Sequence, residues 1–179
     1  ANQGNLSWAD RKLMAAQDVS PPSPFGAPGV RTADLDFDKR IDVIQSLNVG
    51  GGIAYRLWFN LGDQRYATSL TVEPPDAFDL ADPTVQIGDF NGDRVPDLIR
   101  LQPERLLVKA GLGYGRFAEA IAVALPDVTL SPDQLRQAKL TDVTGDGMAD
   151  LVMERAAPGQ LWYWINRGNY QLSTRNEIV

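Results

Sequence analysis

Short apolar runs alternate with polar turns along most of the chain. The clearest run is 53–60, where Tyr55, Leu57 and Phe59 fall on one face and Arg56, Trp58 and Asn60 on the other. A period of two predicts a β-strand. Similar runs recur, bounded by the glycines, prolines, asparagines and aspartates that punctuate turns. The pattern predicts four strands in each of three units. In the first they are 30–33, 42–47, 53–60 and 66–73, with Gly50, Gly51 and Gly52 as a turn. In the second they are 84–88, 98–101, 105–110 and 117–124. In the third they are 137–141, 151–154, 160–165 and 170–177. The turn after the third strand is Asn60-Leu61-Gly62, then Gly111-Leu112-Gly113, then Asn166-Arg167-Gly168. Pro74-Pro75 and Pro126 open the crossovers between units.

Between the first two strands of each unit lies a loop of one design. In the second unit it is Asp89-Phe90-Asn91-Gly92-Asp93-Arg94-Val95-Pro96-Asp97, with oxygen-bearing side chains at positions 1, 3, 5 and 9. A hard cation such as Ca²⁺ gathers six to eight oxygens around one point, and alternate positions of a tight loop supply them. Position 7, Val95, offers only its carbonyl. Gly92 permits the sharp turn. An EF-hand needs Glu at position 12, where this chain has Arg100. The spacing recurs in Asp34, Asp36, Asp38 and Asp42, and in Asp142, Thr144, Asp146 and Asp150. Successive loops start 55 and 53 residues apart, and a fixed period of this size marks a repeat architecture. Aspartates also build turns without metal. A tight set of carboxylates repels itself unless a cation is present, however, and three sets in register favour the cation.

Four short strands per repeat are the signature of a β-propeller blade. The expected fold is all-β, with blades of four antiparallel strands at 30–83, 84–136 and 137–179. Three such repeats form only part of a ring, since propellers close with four to eight blades. Residues 1–29 carry two readings. Ser7 to Asp10 ahead of Arg11-Lys12-Leu13-Met14-Ala15-Ala16 looks like a capped helix. Alternatively, Asn2-Gln3-Gly4-Asn5 matches Asn166-Arg167-Gly168-Asn169, and Val19-Ser20-Pro21-Pro22 matches Val72-Glu73-Pro74-Pro75. On that favoured alignment the segment is the tail of a preceding repeat and its crossover.

Composition narrows the chemistry. The 179 residues are 44% hydrophobic and 22% charged, which suits a folded domain. Cysteine and histidine are both absent, which removes disulfides, thiol chemistry, imidazole zinc sites and Ser-His-Asp catalysis. A net charge of −6 argues against nucleic acid or an anionic membrane as partner. Ten of the 23 acidic residues lie in the three loops, so the acidity reads as metal cages rather than a solvated face. No apolar run approaches membrane-spanning length, and no insertion is expected.

These loops resemble the FG-GAP/VCBS repeat family of calcium-binding propeller blades. Asp89 to Ile99 is close to that family's loop, and Phe25-Gly26-Ala27-Pro28 resembles the phrase that names it. The resemblance covers about residues 20–179. Integrin α-subunit propellers share the loop type. The aromatic strands at Trp58-Phe59 and Trp162-Tyr163-Trp164 look more like blades of bacterial secreted proteins, toxin-complex B components among them. The resemblance implies up to three Ca²⁺ ions. The implied ligands are Asp34, Asp36, Asp38, Asp42 and the Arg40 carbonyl; Asp89, Asn91, Asp93, Asp97 and the Val95 carbonyl; Asp142, Thr144, Asp146, Asp150 and the Met148 carbonyl. Two positions depart from the pattern. Phe37 stands where the other loops have glycine, so a strained or altered turn is expected, and Thr144 is a neutral, weaker ligand.

The reading is a calcium-stabilised scaffold or interaction module, not an enzyme, in a secreted or surface protein, toxin-related in the narrower resemblance. Its expected partner is a protein or the remaining blades of the same polypeptide. One rival is a carbohydrate-binding propeller, with Trp58, Trp162 and Trp164 as a stacking surface for a glycan. Packing between blades is the commoner use of such aromatics. Another rival is the body of a glycoside hydrolase or lyase, but the spacing of Glu73, Glu104, Glu119 and Glu154 gives no acid pair. Lys109, Arg155 and Arg167 read as solvated edge charges.

Overall fold

The computed structural model describes residues 15–16, 25–63, 65–155 and 159–178. Residues 1–14 and 17–24 lie outside the described residues, and with them most of both readings of 1–29. At Ala15–Ala16, where the capped helix was expected to end, the backbone is a strand paired in parallel with Arg65 and Tyr66. The elements in order are β1 (Ala15–Ala16), β2 (Val30–Ala33), β3 (Asp42–Val49), β4 (Gly52–Trp58), β5 (Asn60–Gly62), β6 (Arg65–Tyr66) and β7 (Leu70–Val72). Next come β8 (Val85–Gly88), β9 (Asp97–Gln102), β10 (Arg105–Gly113) and β11 (Arg116–Ala124). The last are α1 (Pro132–Gln137), β12 (Lys139–Thr141), β13 (Asp150–Glu154), β14 (Leu161–Trp164) and β15 (Asn176–Ile178).

Three antiparallel sheets of four strands follow one another along the chain: β2-β3-β4-β7, β8-β9-β10-β11 and β12-β13-β14-β15. A small sheet, β1-β6-β5, pairs β1 with β6 in parallel. The expected fourth strand of the first unit is therefore divided. Arg65 and Tyr66 fold back onto Asn60 and Gly62, and only 70–72 joins the first sheet. The third unit's last strand is likewise confined to 176–178, because Asn166 bridges to Leu172 and the Ser173 amide bonds to the Ile165 carbonyl.

The sheets stack because both faces of the middle one are apolar. On one side Leu98 and Val85 pack with Ile44, Tyr55 and Leu57 of the first sheet. On the other, Ile99, Leu106 and Val108 pack with Leu151, Met153 and Trp164 of the third. The described residues form a stack and no closed ring. The alternation along β4 holds: Tyr55 and Leu57 enter the first-to-second core, while Trp58 turns the other way onto Val30, Val43 and Tyr66.

One helix was not expected. Ser131 caps α1 in a capping box with Gln134, Pro132 opens the first turn, and Leu135 anchors it in the core. It sits in the crossover from the second sheet to the third. Beside it, the Gln86 side chain donates to the Ala138 carbonyl at 2.8 Å and accepts from the Leu140 amide at 3.0 Å. One amide group thus joins β8 to β12 as a missing strand would.

Candidate metal centre

The three loops share one backbone. Positions 4 and 6 have positive φ in each: Phe37 68° and Lys39 67°, Gly92 83° and Arg94 68°, Gly145 81° and Gly147 90°. Phe37 therefore keeps the glycine turn, with left-handed strain of roughly 1–2 kcal/mol. Its ring lies over Gly113 of the second sheet, where a side chain would leave no room for it.

The ninth-position aspartates are fully buried, and their carboxylates tie each loop to the rest of its sheet. Asp42 accepts the Leu35 and Asn60 amides, each at 2.8 Å. Asp97 accepts Phe90 at 2.8 Å, Asn91 at 3.2 Å and Gly111 at 2.8 Å. Asp150 accepts Val143 at 3.0 Å, Thr144 at 3.3 Å and Asn166 at 2.7 Å. The donor from across the sheet is each time the first residue of the turn after the third strand. Sequence reading saw that turn recur and missed what it does.

The remaining side chains bind the loop to itself. Asp89 accepts Gly92 and Arg94 amides, and Asp142 those of Gly145 and Gly147. Position 5 accepts from position 7 in every loop: Asp38 from Arg40, Asp93 from Val95 and Asp146 from Met148. Asn91 accepts from the Asp93 amide and donates to its carboxylate, and Thr144 donates to Asp142 at 3.4 Å.

The first loop differs in chemistry. Asp34, Asp36 and Asp42 bring ligand atoms within 4.8 Å of one another, and among the described residues they are the only such group of three. One oxygen of Asp34, Oδ1, is buried without a hydrogen-bond partner. Buried carboxylate oxygens are ordinarily paired, so the residues present fit a cation here. Asp38 stands outside the group and forms an ion pair with Arg40, whose Nε donates to the Asn60 carbonyl at 2.6 Å. Sequence reading assigned Arg40 a carbonyl role and did not foresee the guanidinium.

No protein-family model and no curated protein matches the chain. Solved toxin-complex chains share its fold. A Photorhabdus luminescens Tc holotoxin pore structure aligns at TM-score 0.67 and 19% identity, over 92% of this chain and 7% of that one. The TcdB2–TccC3 crystal structure aligns at TM-score 0.62 and 23% identity, over 89% of this chain and 8% of that one. An Agrocybe aegerita lectin that recognises non-reducing terminal N-acetylglucosamine aligns at TM-score 0.59 and 18% identity, over 83% of this chain and 37% of that one. The chain thus spans a small part of the toxin chains it resembles, and the likeness shows fold alone.

The other singled-out residues are dispersed. Trp58 and Trp164 are buried, so the three tryptophans make no common stacking surface. Trp162 is half-buried, with the Arg155 and Arg175 guanidiniums over its ring and its indole N–H on Glu177 at 2.8 Å. Lys109 is no edge charge. It is 5% exposed, over the Phe78 ring, and reaches the Pro75 carbonyl. Arg167 is exposed, as expected. Glu104 lies in the turn between β9 and β10, Glu119 on β11 and Glu154 on β13, and Glu73 follows β7. Among the described residues no helix is long and apolar enough to cross a membrane.

Burial pushes the Asp42 carboxyl up to about 6; its two amide donors oppose this, and Asp36 and Asp38 add repulsion. Asp36 and Asp97 are raised too, chiefly by burial. For a raised carboxyl the folded state holds the proton more tightly than the unfolded chain. The stability this gives is complete below the unfolded value near 3.8 and is lost as pH rises through about 6. In chelator, the melting temperature is therefore expected to be several degrees higher at pH 5 than at pH 7.5. Saturating calcium should abolish the difference by favouring the carboxylate. Melts that are flat across this range in chelator would refute it.

Proposed function

We propose that this chain is a calcium-stabilised β-propeller scaffold, with FG-GAP/VCBS-type loops, serving as an interaction module of a larger secreted, toxin-related protein. The observation that carries the calcium reading is the Asp34, Asp36 and Asp42 group with its unpartnered buried oxygen. The common backbone of the three loops extends the reading to Asp89, Asn91, Asp93 and Asp97, and to Asp142, Thr144, Asp146 and Asp150. The cation's role is structural: it neutralises the loop and fixes the hairpin between the first two strands of a sheet. The toxin-complex neighbours support the wider context, and the stack of four-stranded sheets supports a propeller. We assign the chain no catalysis.

Calorimetry and thermal melts test the reading. Calcium is expected to bind at up to three oxygen-only sites and to raise the melting temperature. Each site adds about 2.7 kcal/mol when the ion is at one hundred times its dissociation constant. No heat and no shift at millimolar calcium would refute it.

The lectin neighbour favours carbohydrate binding as a second reading. With two of the three tryptophans buried and the third under two guanidiniums, a sugar has no open aromatic platform among them. A glycan array distinguishes the readings: specific retention of one glycan class would place this reading first.

A further inference from the structure

The third sheet turns one face away from the others, and the repeat shows what that face lacks. On the face that the second sheet presents to the third, Ile99, Leu106 and Val108 are 0% exposed and Val123 is 1%. Strand pairing identifies their counterparts. Ile99 pairs with Val108 and Leu106 with Val123; likewise Val152 pairs with Tyr163 and Leu161 with Ile178. Val152, Leu161 and Tyr163 are only half-buried, and Ile178 is 52% exposed. The second loop position tells the same story: Leu35 is 3% exposed and Phe90 0%, but Val143 is 50%.

The first two loops are covered by the sheet that follows. The Tyr114 amide bonds to the Leu35 carbonyl, the Ala149 amide to the Asp89 carbonyl, and the Asn166 side chain to the Phe90 carbonyl. Among the described residues no bond of this kind reaches the carbonyls of Asp142 and Val143. The uncovered face and the uncovered loop lie on the same sheet, and each sheet before it is covered in the same way.

We propose that this face docks one further four-stranded sheet of the same repeat, supplied by polypeptide beyond these residues. The inference rests on reading the sheets as repeats of a larger propeller, not on cation binding. A second copy of this chain is not the occupant. The face it would offer in a head-to-tail stack, the outer side of the first sheet, has its apolar Val43 and Trp58 buried at 1% exposed each and otherwise presents the polar Thr32, Gln45, Arg56 and Thr71. The occupant's chemistry follows from the existing junctions. It presents a branched aliphatic after its own ninth-position aspartate, as Leu98 and Leu151 do. It brings a backbone N–H over the Asp142 carbonyl and tolerates an acid, since Glu154 stands where the second sheet has Leu101.

The test uses the whole chain and an apolar-surface dye. Leu161→Lys should melt within a few degrees of the parent and lower dye emission several-fold, whereas Leu106→Lys, at the covered counterpart, should lose its cooperative melt. Appending a second copy of residues 84–136 after Val179 should raise the melting temperature and make Leu161→Lys as damaging as Leu106→Lys. A loss in Leu161→Lys as large as in Leu106→Lys would mean the chain covers this face itself. A concentration-dependent dimer in light scattering that Leu161→Lys abolishes would make the occupant a second copy. An extended chain in which Leu161→Lys stays as mild as in the parent would show that a sheet of this repeat does not fit. Any of these three results overturns the proposal, and none depends on whether calcium binds.

Discussion

Asp97→Ala is expected to cost the fold roughly 3–5 kcal/mol, in chelator as in calcium. The carboxylate is fully buried and accepts three backbone amides, from Phe90, Asn91 and Gly111. Alanine leaves all three donors without a partner in a space too closed for ready hydration. Each unsatisfied buried amide costs about 1–3 kcal/mol, and partial relaxation keeps the sum below the maximum. In a chain of this size the melting temperature should fall by about 10 °C. Asp93→Ala is the informative contrast. Its oxygens accept only from the Val95 amide and the Asn91 side chain at the exposed rim of the loop. Its loss should be small in chelator and grow in calcium, where a ligand also disappears. If chelation made Asp97→Ala as mild as Asp93→Ala, the ninth position would be a ligand alone and the structural role assigned to it would fail.

Gly111→Ala should be nearly as damaging, at about 3 kcal/mol. The position opposes the Val95–Pro96 segment so closely that a methyl group would overlap the Pro96 carbonyl oxygen and stand 2.5 Å from Val95 Cγ1. Both obstacles belong to the second loop, so relief requires moving the loop or breaking the Gly111 amide bond to Asp97. The corresponding Asn60 and Asn166 tolerate side chains because those chains turn onto carbonyls of their own loops, Ile41 and Ala149. A register shift after Lys109 carries Gly111 inward instead. Chemical denaturation should show a lower midpoint with an unchanged slope. A loss under about 1 kcal/mol would mean that the loop yields freely, contrary to its hydrogen-bond network.

Much of this site was legible in the sequence because its determinants are local. Aspartates at fixed spacing impose the loop whatever surrounds it, and the two-residue period of 53–60 placed Tyr55 and Trp58 on opposite sides. The helix was also legible, because Ser131-Pro132-Asp133-Gln134 carries a capping box. What was hidden depends on distant partners. Lys109 is buried only because Phe78 and Pro75 come over it from a crossover more than thirty residues away. Tyr66 left the first sheet because Asn60 and β1 offered it another edge. The double duty of Asp42, Asp97 and Asp150 was hidden for a different reason. The same spacing serves a ligand and a backbone acceptor, and only the donors across the sheet distinguish the two.

The covering of the first and second loops by the sheet that follows limits how such a chain can be rearranged. Loop and cover are encoded in different repeats, so the inherited unit and the structural unit are out of step. Removing 84–136 would place the third unit's turn over the first loop. Leu35 would then meet the neighbours that now receive Phe90, and a ring-stacking partner, Tyr170, would face an aliphatic side chain. Each repeat is thus addressed to its neighbour, and the order of the units is written into the stretches where they touch.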